Sequence, residues 1–163
     1  MARVLIVGAG CRGRRLARAL RDEGHAVRAT SRTEERRAAI EATGAEFYLG
    51  TPDKIGTLTY ALDNATVLVW LMGSATGSPD ALTALHATRL QMLLERTIDT
   101  TIRGLVYEAA GSVPGEVLEA GAETVRRACE YSEIPYAFLR EPPADAEHWH
   151  AAAHTAVAGL LAG

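Results

Sequence analysis

Short apolar, β-branched runs alternate along this chain with longer stretches of helical period. The runs fall at residues 4–7, 26–30, 46–49, 66–71, 104–107 and 136–139, each of strand length. Val4-Leu5-Ile6-Val7 and Thr66-Val67-Leu68-Val69-Trp70-Leu71 are continuous rather than alternating, as in strands covered by helices on both faces. The intervening stretches have the spacing of strand–helix–strand units in a parallel sheet.

The helical stretches carry ordinary start and stop signals. Residues 12–22 place Leu16 and Leu20 four apart among arginines and end near Gly24. Thr33-Glu34-Glu35-Arg36 opens a second helix with a capping residue and early acids. Ser78-Pro79-Asp80 opens a long helix, with Ser78 as cap and Pro79 in the first turn. Its Leu82, Leu85, Leu90, Leu93 and Leu94 spread over a wide face, which either joins the core or packs on a second copy, so a homodimer stays open. Residues 114–131 and 144–161 complete six helices for six strands. The pattern predicts an α/β domain, a doubly wound parallel sheet in the order 3-2-1-4-5-6 with helices on both faces, spanning residues 1–163 without a separate substrate domain.

At 163 residues the chain is long enough to bury a real core without metal or disulfide. The formal charge of −3 gives no reason to expect nucleic acid, whose binding rests on clustered cations. No run approaches the roughly 18 apolar residues of a membrane span. Cys11 and Cys129 are far apart, and Met1-Ala2-Arg3 leads straight into the first strand. A reduced, cytoplasmic protein is expected. Lys54 is the only lysine, which removes lysine as a catalytic group almost everywhere.

Gly8-Ala9-Gly10-Cys11-Arg12-Gly13 follows the first strand and opens the first helix. In such a loop Gly8 allows the tight turn, Gly10 lets the backbone approach a diphosphate, and Gly13 lets helix and strand pack closely. The helix start then offers free N–H groups and the positive end of its dipole. A second strand about 20 residues on completes the context for a dinucleotide. NAD sites place an acid at the end of that strand for the ribose 2′-hydroxyl. Here the position reads Thr30-Ser31-Arg32, with no carboxylate in sequence until Glu34. Two hydroxyls and a guanidinium suit a 2′-phosphate, so NADP (NADPH) is the expected cofactor. Arg12 assists from inside the loop.

Together these residues resemble an atypical short-chain dehydrogenase/reductase, of the NmrA-like and epimerase-related kind. The resemblance is carried by Val4-Leu5-Ile6-Val7-Gly8-Ala9-Gly10 with Gly13, by Gly24-His25-Ala26-Val27, and by Thr30-Ser31-Arg32. It continues through Gly44-Ala45-Glu46, Gly104-Leu105-Val106-Tyr107 and Ile134-Pro135-Tyr136-Ala137-Phe138-Leu139-Arg140. It implies a Rossmann fold and an NAD(P) cofactor. It also implies a Tyr-x-x-x-Lys proton-transfer pair in active members, which this chain lacks because no lysine follows Lys54. The usual serine near the end of the fifth strand is replaced in Glu108-Ala109-Ala110-Gly111, and the usual adenine-contacting aspartate in Gly50-Thr51-Pro52.

In such a fold ligands sit beyond the carboxyl ends of the strands. This places Leu71-Met72-Gly73-Ser74 and Glu108–Ser112 around a nicotinamide, with Tyr107, Glu108 and Ser112 as the proton-handling groups there. Glu108 is a candidate acid or base, although a strand-end carboxylate is more often solvated. His86 reads as a surface or packing histidine. Glu147, His150 and His154 share one helix face, but no further ligand supports a metal there. Cys11 reads as a small packing residue at the helix start. Two classes of function follow: a small NADPH-dependent oxidoreductase acting on a small molecule, or a non-catalytic dinucleotide-binding sensor or regulator.

Overall fold

The computed structural model describes residues 2–163. Six strands, β1 (Arg3–Val7), β2 (Ala26–Ser31), β3 (Glu46–Leu49), β4 (Val67–Trp70), β5 (Gly104–Glu108) and β6 (Tyr136–Leu139), pair in parallel. Their order is β3-β2-β1-β4-β5-β6, the doubly wound order that the sequence predicts. Helices α1 (Cys11–Asp22), α2 (Arg37–Glu41), α3 (Pro79–Leu85), α4 (Thr88–Thr97), α5 (Gly115–Tyr131) and α6 (Ala146–Ala162) cover the faces. No helix among the described residues is long and apolar enough to cross a membrane.

The central strands explain their continuous apolar sequence. Val4–Val7 and Val67–Trp70 are fully buried because each strand feeds two cores. Leu5, Val7, Leu68, Trp70, Leu105 and Tyr107 pack towards Leu85 of α3, Leu90, Leu93 and Leu94 of α4, and Val125 of α5. Val4, Ile6, Val67, Val69 and Val106 point the other way, to Leu16 and Leu20 of α1, Ile40 of α2 and Trp149 and Val157 of α6. Burying each large side chain contributes about 1.5–3 kcal/mol. Leu85, Leu90, Leu93 and Leu94 thus pack within the chain's own core, while Leu82 of α3 is half-buried.

The helices are distributed differently from the sequence reading. The long helix after Ser78 is two, α3 and α4, broken at His86-Ala87. Ser78 does cap α3, accepting from the Ala81 N–H at 3.1 Å. The break lets His86 turn inward, where it is fully buried. Residue 33 does not cap with its side chain; the segment opens as a 3-10 turn over Glu34–Arg36 before α2. Between β3 and β4 two 3-10 turns, Ile55–Leu58 and Tyr60–Leu62, replace a regular helix. Arg28 of β2 reaches across to hold this connection, donating to the carbonyls of Ala61 at 2.6 Å and Asp63 at 2.9 Å.

Candidate functional site

The order of the sheet reverses between β1 and β4, and a cleft opens there beyond the carboxyl ends of the strands. Gly8 forms its floor with φ +107°, a conformation that strains any residue with a Cβ. A Cβ at Gly8 would also strike the Leu71 carbonyl and come within 2.8 Å of Met72 Cε. One at Gly13 would lie 2.7 Å from the Gly8 carbonyl oxygen, so α1 and β1 touch only because both are glycines. Gly10 is the N-cap of α1 and has no side chain to occupy the amides beyond it. The Arg14 N–H closes the first helical bond, to Gly10, leaving the preceding amides for a ligand.

The cleft holds about 460 Å³ and is lined by Gly8, Gly10, Cys11, Arg12, Gly13, Thr30, Ser31, Arg32, Leu71 and Met72. These are the residues singled out in the sequence, except Gly73. Gly73 lies just behind the wall, where its N–H is committed to Glu108. Ser74, which the sequence also places there, and Ala9, Gly50 and Pro52 from loops it names line the cleft too, whereas sequence reasoning missed Thr33, Glu35, Arg36, Ala75, Thr76 and Leu85. Arg36 lies over Gly10, its Nη1 3.7 Å from where a Cβ would stand. It sits on a 3-10 turn that the sequence pattern assigns to the start of the second helix.

Arg32 is exposed at the mouth and donates to Asp53 Oδ2 at 2.8 Å. The linear sequence puts no acid near it before Glu34. Parallel pairing of β2 with β3 instead brings the β3 loop beside the end of β2, so a carboxylate 21 residues away reaches the guanidinium. Both partners are more than half exposed, and such a pair contributes only about 0–1 kcal/mol.

The end of β5 differs most from expectation. Alternation sends Tyr107 to the α4–α5 face and Glu108 to the α1–α6 face, and both are fully buried. His86 Nε2 lies 2.9 Å from the Met72 carbonyl oxygen and His86 Nδ1 2.7 Å from the Tyr107 hydroxyl. The carbonyl can only accept, so Nε2 carries the proton and the Tyr107 O–H donates to Nδ1. Burial lowers the His86 pKa and raises that of Tyr107, which keeps both neutral.

Glu108 is the mirror image on the other face. Its Oε1 accepts from the Gly73 N–H at 2.8 Å, and Oε2 accepts from Trp149 Nε1 at 3.0 Å and Arg12 Nη2 at 3.3 Å. Burial pushes its carboxyl up, while the Gly73 amide, Arg12 and Trp149 pull it down. Neither Tyr107 nor Glu108 lines the cleft. Glu108, and Tyr107 through His86, instead fix the single Met72–Gly73 peptide unit, at its N–H and at its carbonyl, from opposite sides of the sheet.

The other candidates lie apart. Ser112 is exposed, its N–H 3.4 Å from Ser74 Oγ. Cys11 is exposed at the start of α1, with Arg14 Nη2 3.5 Å from its sulfur. Glu147 pairs with Arg15 at 2.8 Å and His154 with Glu23. No group of three His, Cys, Asp or Glu side chains among the described residues is placed to hold a metal ion.

No family model and no curated protein matches the sequence, but its fold is shared with many solved structures. One is a short-chain dehydrogenase/reductase superfamily protein from Agrobacterium tumefaciens with bound NAD: 21% identity, TM-score 0.70, covering 85% of this chain and 48% of that one. A UDP-glucose 4-epimerase from Thermotoga maritima has 13% identity and TM-score 0.72 over 85% and 54% of the two chains. A triphenylmethane reductase from Citrobacter sp. has 20% identity and TM-score 0.66 over 85% and 48%. The resemblance read in the sequence therefore holds at the level of the fold, and the chain spans about half the length of these structures.

Proposed function

We propose that the cleft binds NADP(H), and that the chain acts as a small NADPH-dependent oxidoreductase. The observation that carries the coenzyme reading is the charge of the lining: Arg12, Arg32 and Arg36 face the cleft against one carboxylate, Glu35. The glycine loop fits a diphosphate, because Gly10 has no side chain to cover the first α1 amides, while Gly8 and Gly13 let the loop pack tightly beneath them. The α1 amides and the positive end of its dipole would hold the diphosphate. Arg32, with Ser31 and Thr33, would hold the 2′-phosphate, exchanging a weak surface pair with Asp53 for a charge-assisted fork. Leu71 and Met72 would form the wall at the nicotinamide end. When bound, the coenzyme supplies or accepts the hydride. The chain's own residues hold it, exclude water along the Leu71–Met72 wall and leave the protonation of a small substrate to solvent.

A second reading, a non-catalytic dinucleotide sensor, is favoured by the burial of Tyr107 and Glu108, which leaves neither of them facing the cleft. Calorimetric titration with NADPH and NADH tests the coenzyme choice. Arg32→Ala should weaken NADPH binding by about 1.5–3 kcal/mol, roughly ten- to a hundredfold, and leave NADH unchanged. Equal losses for both would refute the 2′-phosphate assignment. Coenzyme consumption against quinones, aldehydes and imines separates the readings. Tight binding without turnover on any of them would select the sensor.

A further inference from the structure

Arg12 belongs both to the cleft and to the buried carboxylate behind it. Among the described residues its side chain's only hydrogen bond is to Glu108 Oε2, at 3.3 Å, long against the 2.7–2.9 Å or so of a well-made charge-assisted bond. Its Nε is buried without a partner, and its guanidinium carbon lies 5.2 Å from the centre of the Trp149 ring. The side chain is a third exposed while that of Glu108 is fully buried. The guanidinium is therefore under-committed, and Arg12 stands two residues beyond Gly10, the N-cap of α1. A diphosphate there would offer it stronger acceptors than the single oxygen it now holds.

We propose that Arg12 is shared between Glu108 and the phosphates of a bound dinucleotide, and that Glu108 takes up a proton from solvent when the dinucleotide binds. This rests on the reading of the cleft given above. The groups that face Glu108 are the Gly73 amide from the β4 loop, the Trp149 indole from α6 and Arg12 from α1. Tyr107 lies across β5, bonded to His86, and Arg15, Glu147 and His150 sit at the α1–α6 surface, Arg15 and Glu147 as a pair. Of all these, Arg12 is the one charged group acting on the carboxyl, which burial already pushes upward.

Drawing Arg12 towards a phosphate removes that countercharge, and the phosphates add negative charge on the same side. Both changes disfavour the carboxylate. The hydrogen-bond geometry accommodates the proton. Oε1 keeps the Gly73 N–H, Oε2 keeps the Trp149 N–H, and the lone pair released by Arg12 receives the proton, which enters from the cleft as Arg12 turns. Glu108 then titrates higher in the complex than in the free protein. Affinity accordingly rises as pH falls through the interval between the two values.

The test is calorimetry of NADPH binding to the full chain in buffers of different ionisation enthalpy, at about pH 6 and about pH 8. The 2′-phosphate itself titrates near pH 6, so the readout is the difference between the wild type and Glu108→Gln. At the lower or the higher pH, the wild type should take up a fraction of a proton more per site than Glu108→Gln, the excess marking the interval over which free and bound protein hold Glu108 differently. Arg12→Gln, at a partly exposed position, serves if Glu108→Gln folds poorly. It should bind NADPH more weakly and show the same lost uptake. Equal proton counts in wild type and variants would overturn the proposal while leaving coenzyme binding intact. No heat with either coenzyme would overturn the cleft reading and the proposal with it.

Discussion

Gly121 offers a sharp test of how the buried layer behind the cleft is fitted together. It faces β5 from α5, and a Cβ there would strike the Tyr107 hydroxyl, stand 2.8 Å from Tyr107 Cζ and 3.2 Å from the His86 carbonyl oxygen. Tyr107 cannot retreat, because its hydroxyl is bonded to His86 with the Leu118 carbonyl oxygen only 3.3 Å away, and its ring is fully buried. Gly121→Ala should therefore incur about 1–3 kcal/mol of overpacking and about 0.5–1.5 kcal/mol of damaged hydrogen bonding. Against this stands a helix-propensity gain of about 1 kcal/mol, so net destabilisation is roughly 1–3 kcal/mol. Tyr107→Phe alone strands His86 Nδ1 and should lose about 1–3 kcal/mol. In the double variant the worst clash, with the hydroxyl, is gone, although Cζ at 2.8 Å must still give by a few tenths of an ångström. Its loss should then fall short of the sum by about 1 kcal/mol or more. Urea unfolding followed by far-ultraviolet circular dichroism measures all four corners of the cycle. Additivity within about 0.5 kcal/mol would refute the claim that Gly121 is small because of the Tyr107 hydroxyl.

Two further outcomes follow from the site. Asp53→Asn frees Arg32 and removes a competing negative charge, so NADPH should bind about two- to fivefold more tightly, measured by fluorescence titration; weaker binding would mean that Asp53 itself contacts the coenzyme. His86 is held by burial below its ordinary 6.5, so the unfolded chain takes up a proton near pH 6 that the native protein refuses. Its contribution to stability is present above 6.5 and drains away as pH falls towards the lowered native value. Thermal unfolding across this range should show that slope in the wild type and a flatter one in His86→Gln.

The fold was legible because its signals are local. Continuous apolar runs at residues 4–7 and 66–71, glycines at 8, 10 and 13, and regular spacing identify the sheet, its order and the phosphate loop. The floor and one wall of the cleft were legible for the same reason. What escaped is what sheet pairing brings together. Asp53 reaches Arg32 only because β3 lies beside β2, and nothing in the residues around Arg32 announces it. The break at His86-Ala87 escaped because its cause is tertiary: His86 has partners on β5 and on the β4 loop. One signal was available and unused. Alternation along Gly104–Glu108 puts Glu108 on the same face as Val106, which is a core position, so a solvated carboxylate was never the natural expectation. Arg36 was hidden because the short 3-10 turn before α2 reads in sequence as an ordinary helix start.

Clamping of the Met72–Gly73 peptide unit from opposite faces makes the two sides of the cleft mechanically unequal. To swing that wall outward, the layer containing Tyr107 and the layer containing Trp149 would have to loosen together. Across the gap, α2 has five residues, of which only Ile40 is buried, and neither of its ends has a side-chain cap. Such a segment opens at low free energy. Adjustment to a guest molecule should therefore come from the adenosine side, with the nicotinamide side acting as a fixed anvil.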